Sequence, residues 1–109
     1  MNQLKQETDQ EIMARLRRPI DELIEKHCGD KTEMERLRLR QLAWQAVDVL
    51  VRTRNIANLE NQPDIKRITQ NIKEVGASEK FIQESLFLAL TIYKKMQADH
   101  PGLLKRYGG

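Results

Sequence analysis

The chain has 109 residues, of which 39% are hydrophobic and 32% are charged. This length and balance predict one folded domain with one core, and they exclude a disordered tail and a two-domain protein. Nineteen basic residues are interleaved with sixteen acidic ones, so the net charge of +3 is too small and too dispersed to favour nucleic acid as a partner. We find no signal-peptide pattern and no apolar run of membrane-spanning length, and we expect a cytoplasmic protein that makes no contact with a membrane.

The first helix is predicted at Asp9–Cys28. Thr8 and Glu11 have the spacing of a capping box, and apolar residues then recur at helical intervals. Pro19 lies inside this pattern and cannot donate to the carbonyl four residues back, so we expect a kink or a break near it. Gly29 is predicted to end the helix in a left-handed conformation.

The second helix is predicted from a cap at Thr32 to about Asn58, and it is the longest element. Only two polar residues interrupt residues 42–51, and the other eight side chains cover an arc of roughly 220°. An ordinary surface helix buries an arc of only about 100°. This width indicates that the second helix is covered on several sides and that Trp44, at the edge of the arc, is buried.

A short third helix with one narrow apolar stripe is predicted to begin at Pro63 and to end at Gly76. Ser78 is then the predicted cap of a fourth helix that extends to about Asp99. The apolar side chains of the fourth helix cover an arc of about 200°. Phe87 lies outside this arc, among polar residues.

The short connections and the absence of any strand pattern predict an all-α fold, an up-and-down bundle of four helices. We expect a flexible N-terminus over residues 1–7 and a single bundle domain over residues 8–100. Residues 101–109 are expected to form a short tail whose apolar side chains can fold back onto the bundle.

Three arginines of the predicted second helix are its most informative polar residues. Arg36, Arg40 and Arg54 project within about 40° of one another. Arginines so placed could clamp carboxylates or phosphates through paired donors. The alternative, which we favour, is that their stems cover the ends of the core while their guanidinium groups reach water or pair with acidic residues of neighbouring helices.

The sequence contains no strong metal, nucleotide or catalytic motif. Cys28 and two distant histidines do not make a zinc site, and we expect no metal and no cofactor. Residues 68–86 have the outline of a helix-turn-helix, which makes a DNA-binding regulator one alternative. Against it, Glu79 and Glu84 would face DNA phosphates, and the helix continues into a run too apolar for a groove.

The stretch PDIKRITQNIKEVGASEKFIQESLFLALTIYKKMQADH, residues 63–100, resembles the last two helices of helical chorismate mutases and includes a glutamine, Gln97, near its end. In that family arginines, a lysine and a glutamine from several helices hold a dicarboxylate substrate in a closed pocket. The resemblance implies an enzyme that binds a small dicarboxylate, with Arg54 and Gln97 as the positions to test. The family's long first helix with its arginine spacing is not matched, and the loop before Pro63 is short.

Our preferred hypothesis is a non-enzymatic interaction module, meaning a small helical regulator, adaptor or assembly subunit. In a four-helix bundle the first and third helices cannot cover both wide arcs, so an apolar patch should remain and mark an interface. We expect another protein or a second copy as the partner, with a homodimer in which the second or fourth helices meet across the axis. The candidate interaction residues are Arg36, Arg40, Arg54, Phe87 and Lys94.

Overall fold

The structure is a computed structural model that describes residues 7–108. All the regular elements of this part are helical: α1 (Asp9–Cys28), α2 (Glu33–Thr53), α3 (Pro63–Val75), α4 (Glu79–Asp99) and α5 (Pro101–Gly108), with a 3₁₀ turn at Leu59–Asn61. The predicted all-α class is confirmed. The bundle of four helices is not confirmed, because the predicted tail forms a fifth helix.

The three predicted helix caps are confirmed. In both capping boxes the threonine hydroxyl, of Thr8 or Thr32, accepts the backbone N–H of a glutamate three residues later at 3.1 Å. The carboxylate of that glutamate, Glu11 or Glu35, accepts the threonine N–H in return. The Ser78 hydroxyl caps α4 in the same way as the threonines. These local bonds satisfy N–H groups that a helix start otherwise leaves without partners.

α1 is one continuous helix through Pro19, so the predicted break is wrong. The proline removes one backbone hydrogen bond, but the apolar stripe of α1 is buried on both sides of it, at Leu16 and Ile20. Packing of this stripe keeps the helix continuous through the proline. The predicted left-handed end is also wrong, since Gly29 has a right-handed backbone with φ −62°.

α2 ends at Thr53, earlier than the predicted end at Asn58. The chain leaves the helix at Arg54, which adopts a left-handed backbone with φ 55°. Polar side chains of the following loop replace the helical bonds: Asn55 Oδ1 accepts the N–H of Ala57 at 3.0 Å. The predicted end of α3 is confirmed, with a left-handed glycine at residue 76 (φ 99°).

α2 is the centre of the fold, because it contacts α1, α3, α4 and α5. Nine of its side chains are buried: Leu39, Leu42, Ala43, Trp44, Ala46, Val47, Val49, Leu50 and Val51. The wide apolar arc of α2 is therefore covered by the chain itself. An uncovered apolar patch on this arc, which was the reason to expect α2 at a dimer axis, is not present.

α5 folds back onto the bundle and supplies part of this cover. Leu103 and Leu104 are 4% and 5% exposed, and Arg106 makes two hydrogen bonds to the Asp9 carboxylate at 2.7 and 2.9 Å. The buried Trp44 donates its indole N–H to the Tyr107 hydroxyl at 2.9 Å. Over residues 7–108, none of the helices is long and apolar enough to cross a membrane.

Candidate interaction surface

Two of the three predicted arginines have structural partners. The Arg36 guanidinium donates to the carbonyl of Lys31 at 2.6 Å and to that of Gly29 at 3.3 Å, and it lies 3.8 Å from the Glu25 carboxylate. It thereby supplies hydrogen bonds to the turn between α1 and α2. These contacts agree with the alternative favoured from the sequence, in which the guanidinium groups serve the ends of the core.

Arg36 and Arg40 line one depression at the start of α2, and Arg54 is not part of it. Arg40 is paired with Asp21 of α1, with 2.5 Å between Nε and Oδ1. Arg54 is exposed and lies beyond the end of α2, so its direction is no longer set by the periodicity that placed it beside the other two. The single arginine face predicted for the second helix is therefore not formed.

Phe87 lies where the helical period placed it, outside the buried arc of α4, and its side chain is 72% exposed. Exposed residues at helical spacing continue its line in both directions, and we call the set the α4 stripe: Lys80, Gln83, Phe87, Thr91 and Lys94. At 100° per residue, these five residues project within about 80° of one another. The predicted candidates Phe87 and Lys94 thus share one surface.

Grooves flank Phe87 on both sides of the stripe. The groove toward α3, of about 620 Å³, is lined by six apolar residues and by six polar or charged ones: Ile56, Leu59, Ile82, Leu86, Phe87 and Leu90, and Asn58, Glu60, Thr69, Lys73, Glu79 and Gln83. The groove toward α1, of about 300 Å³, is lined by Pro19, Leu23, Phe87 and Leu88, with Glu22, Lys26 and Glu84 at its edge. Phe87 is the ridge between a depression of mixed polarity toward α3 and a smaller, more apolar one toward α1.

Basic groups of the chain itself engage two carboxylates beside these grooves. Glu79, at the start of α4, lies 2.8 Å from Lys73 of α3. Glu84 lies 2.9 Å from Nε2 of His27, whose ring packs edge-on against Phe81 at 6.2 Å between centroids. These pairs join α4 to α3 and to α1.

The α2–α3 loop contributes to the surface, although residues 54–58 were predicted to continue the second helix. Ile56 is 44% exposed at the edge of the α3 groove. The Gln62 amide holds the loop by donating to the carbonyls of Asn55 and Ala57 at 3.0 and 3.2 Å. Asn55 and Asn58, residue types that favour turns, were the available signal, and Asn58 indeed has a left-handed backbone.

A second exposed apolar patch lies at the start of α2. Met34 and Leu37 are exposed there, beside a depression of about 420 Å³ lined by Arg17, Ile20, Leu37, Arg40, Gln41, Trp44 and Gln45. The charged groups of this depression already have partners in the chain. Arg17 stacks on the Trp44 ring, 4.7 Å from its centroid, and Arg40 is paired with Asp21.

The enzyme alternative rests on residues that do not line the grooves beside Phe87, and the DNA-binding alternative rests on a helix whose first turns are buried in the core. Gln97 donates its amide to the Tyr93 hydroxyl of its own helix at 3.0 Å, and Gln97 and Arg54 line neither groove. The α3–α4 turn has the outline of a helix-turn-helix, but α4 buries its first turns in the core through Phe81 and Ile82. In the described part of the chain, no group of three or more His, Cys, Asp or Glu residues is placed to hold a metal ion.

Comparison of the chain with protein-family models, with curated proteins and with solved structures gave no match. The resemblance to chorismate mutases therefore stays a sequence prediction.

Proposed function

We propose that the chain is a non-enzymatic interaction module that binds another protein through the α4 stripe and its two flanking grooves. The observation that carries this proposal is the position of Phe87, which is 72% exposed between two grooves that both contain apolar side chains. Burial of such a side chain contributes about 1.5–3 kcal/mol, which the isolated chain does not gain. A complex in which a partner covers Phe87 would gain this free energy.

The surroundings of Phe87 supply the other parts of an interface. Leu86 and Leu90 on one side and Leu23 and Leu88 on the other are only partly buried, so they can receive apolar side chains of a partner. Polar and charged residues surround this apolar centre. An aromatic anchor inside an apolar centre with a polar rim is the usual composition of protein interfaces. The enzyme and DNA-binding alternatives have no comparable feature in their favour.

Site-specific cross-linking tests this proposal. Phe87 is replaced by the photoreactive analogue p-benzoylphenylalanine, and the protein is irradiated in an extract of the cells that natively express it. The matched control carries the analogue at Glu74, an exposed position of α3 outside this surface. We expect an adduct heavier than the 12.8 kDa chain from position 87 that position 74 does not give.

Competition makes the same experiment specific to the aromatic anchor. An excess of unlabelled wild-type chain should suppress the adduct, whereas an equal excess of Phe87→Glu should not, because it places a charge where the partner needs an apolar contact. Identical adducts from positions 87 and 74, or equal competition by the two proteins, would remove the α4 stripe from consideration as the interface.

A further inference from the structure

We infer that the partner of the α4 stripe is an amphipathic polypeptide segment with an apolar centre and acidic residues on both sides of it, and not a second copy of this chain. This inference rests on the proposed function and names the chemistry of the partner. It follows from the spacing and the sign of the two charged residues of the stripe, Lys80 and Lys94.

The α4 stripe has a symmetrical charge pattern. Lys80 and Lys94 lie seven residues before and after Phe87, which at 1.5 Å per residue places each about 10 Å from it along the helix. Gln83 and Thr91, the residues between, are uncharged. Within residues 7–108, neither lysine nitrogen lies within 4.0 Å of a carboxylate oxygen. The stripe therefore offers two cations at equal distances from one exposed aromatic ring.

This symmetry opposes the pairing of two copies through α4. In an antiparallel two-fold dimer centred on Phe87, Lys80 of each copy would meet Lys94 of the other. In a parallel arrangement each lysine would meet its own equivalent. Both arrangements bring like charges together, which costs free energy and suppresses association. A homodimer through the fourth helices, one of the arrangements expected from the sequence, is therefore disfavoured.

A segment with carboxylates at the same spacing fits the stripe in either direction. Its apolar centre would lie over Phe87 and place side chains against Leu86 and Leu90 of the α3 groove, as in the binding of an amphipathic helix to an apolar groove. Its acidic residues would meet Lys80 and Lys94. Two depressions on either side of a ridge suit a polypeptide with side chains better than the flat surface of an anionic membrane.

The double variant Lys80→Glu/Lys94→Glu provides a defined acidic partner, because it carries carboxylates at the required spacing around the same Phe87. Sedimentation velocity at high micromolar concentration should find wild type alone and the double variant alone as monomers. An equimolar mixture of the two should sediment with about twice the mass of the chain. Added salt, or Phe87→Ala in both proteins, should abolish this heterodimer.

Single variants test the symmetry argument independently. Lys94→Glu places unlike charges opposite each other in the antiparallel arrangement, so this variant alone should form a homodimer. Lys95→Glu makes the same change of charge at the neighbouring exposed position, which projects 100° away on the helix, and it should stay monomeric. Because these side chains are exposed, the substitutions should leave the fold intact, which circular dichroism can verify.

The outcomes separate this inference from the proposed function. A wild-type dimer that Phe87→Ala abolishes would show an adhesive α4 stripe whose partner is a second copy, and it would overturn the inference. A mixture that stays monomeric would also overturn the inference. In that case, specific adducts from position 87 would still support the proposed function. Binding of wild type to phosphatidylserine vesicles together with a monomeric mixture would replace the acidic polypeptide with a lipid surface. A heterodimer without specific adducts would support the charge argument and count against the proposed function.

Discussion

α2 and α4 have apolar arcs of similar width, roughly 220° and 200°, yet they have different roles in the molecule. Between residues 42 and 51 of α2, the outward positions are polar, Gln45 and Asp48, and every apolar side chain is buried. On α4 the outward face of otherwise polar residues also carries Phe87. The width of an apolar arc therefore indicates how much of a helix is buried. An apolar side chain on the face that is otherwise polar is the better indicator of an interface.

The comparison also shows how a chain of this size covers a wide arc. α5 adds Leu103 and Leu104 to the core and closes over Trp44 with Tyr107, so that α2 has neighbours on all its apolar sides. The grooves beside Phe87 have no such cover in the described part of the chain. The apolar residues 42–51 of α2 are thus explained by folding, whereas Phe87 remains to be explained by function.

Truncation of one side chain on each helix should separate these roles most strongly. Leu50→Ala, at a fully buried position of α2, should lower the free energy of unfolding by about 3 kcal/mol, because it removes apolar burial and leaves a cavity. Phe87→Ala, which removes more atoms, should change it by no more than about 0.5 kcal/mol. Urea denaturation followed by circular dichroism measures both. Similar losses for the two variants would mean that Phe87 belongs to the core.

A smaller effect is expected where α5 covers α2. Leu104→Ala should lower the free energy of unfolding by about 2 kcal/mol, since this leucine is buried near the end of the molecule, where neighbours can relax. Loosening of α5 should also make Trp44, the only tryptophan of the chain, more accessible to iodide. The matched control is Lys105→Ala, at the adjacent exposed position. If quenching of Trp44 were equal in both variants, α5 would not be its cover.

Helix starts could be predicted because their signals are local. Thr8, Thr32 and Ser78 hold their caps through bonds to residues three positions away, and sequence spacing is enough to recognise such bonds. The end of α2 could not be placed in this way. Apolar residues continue beyond Thr53, and the left-handed backbone at Arg54 depends on a loop held by hydrogen bonds from Gln62.

α5 was missed for a different physical reason. A helix of eight residues is not stable alone in water, and α5 forms because Leu103 and Leu104 pack against the bundle. Its sequence therefore carries only a weak signal, Pro101 in the first turn. Tertiary contacts of this kind cannot be derived from periodicity. Residues 101–109 were therefore predicted to be a tail and not a fifth helix.

The candidate surface was partly predictable. Periodicity alone placed Phe87 and Lys94 together, and the same period extended one step backward would have added Lys80. The roles of Arg36 and Arg40 required the structure, because their partners are a turn of the backbone and an aspartate of another helix. Spacing along one helix gives the direction of a side chain but not what the neighbouring helix places opposite it.

The smallest predicted effect concerns pH and the contact between α5 and α2. Burial and the hydrogen bond that Tyr107 donates to Asp48 raise the pKa of Tyr107 above its ordinary value of 10.0, and the indole N–H of Trp44 partly opposes this shift. A pKa raised by folding means that the neutral hydroxyl contributes stability, which is fully present below the ordinary value and lost as pH rises through the raised one. Wild type should therefore exceed Tyr107→Phe in free energy of unfolding near pH 8, and this difference should shrink as the pH rises above the ordinary value of 10.0. Urea denaturation of both proteins at a series of pH values measures this difference. A difference that grows with pH would show that the Tyr107 phenolate is the form held by the fold, and that α5 is anchored on α2 by another contact.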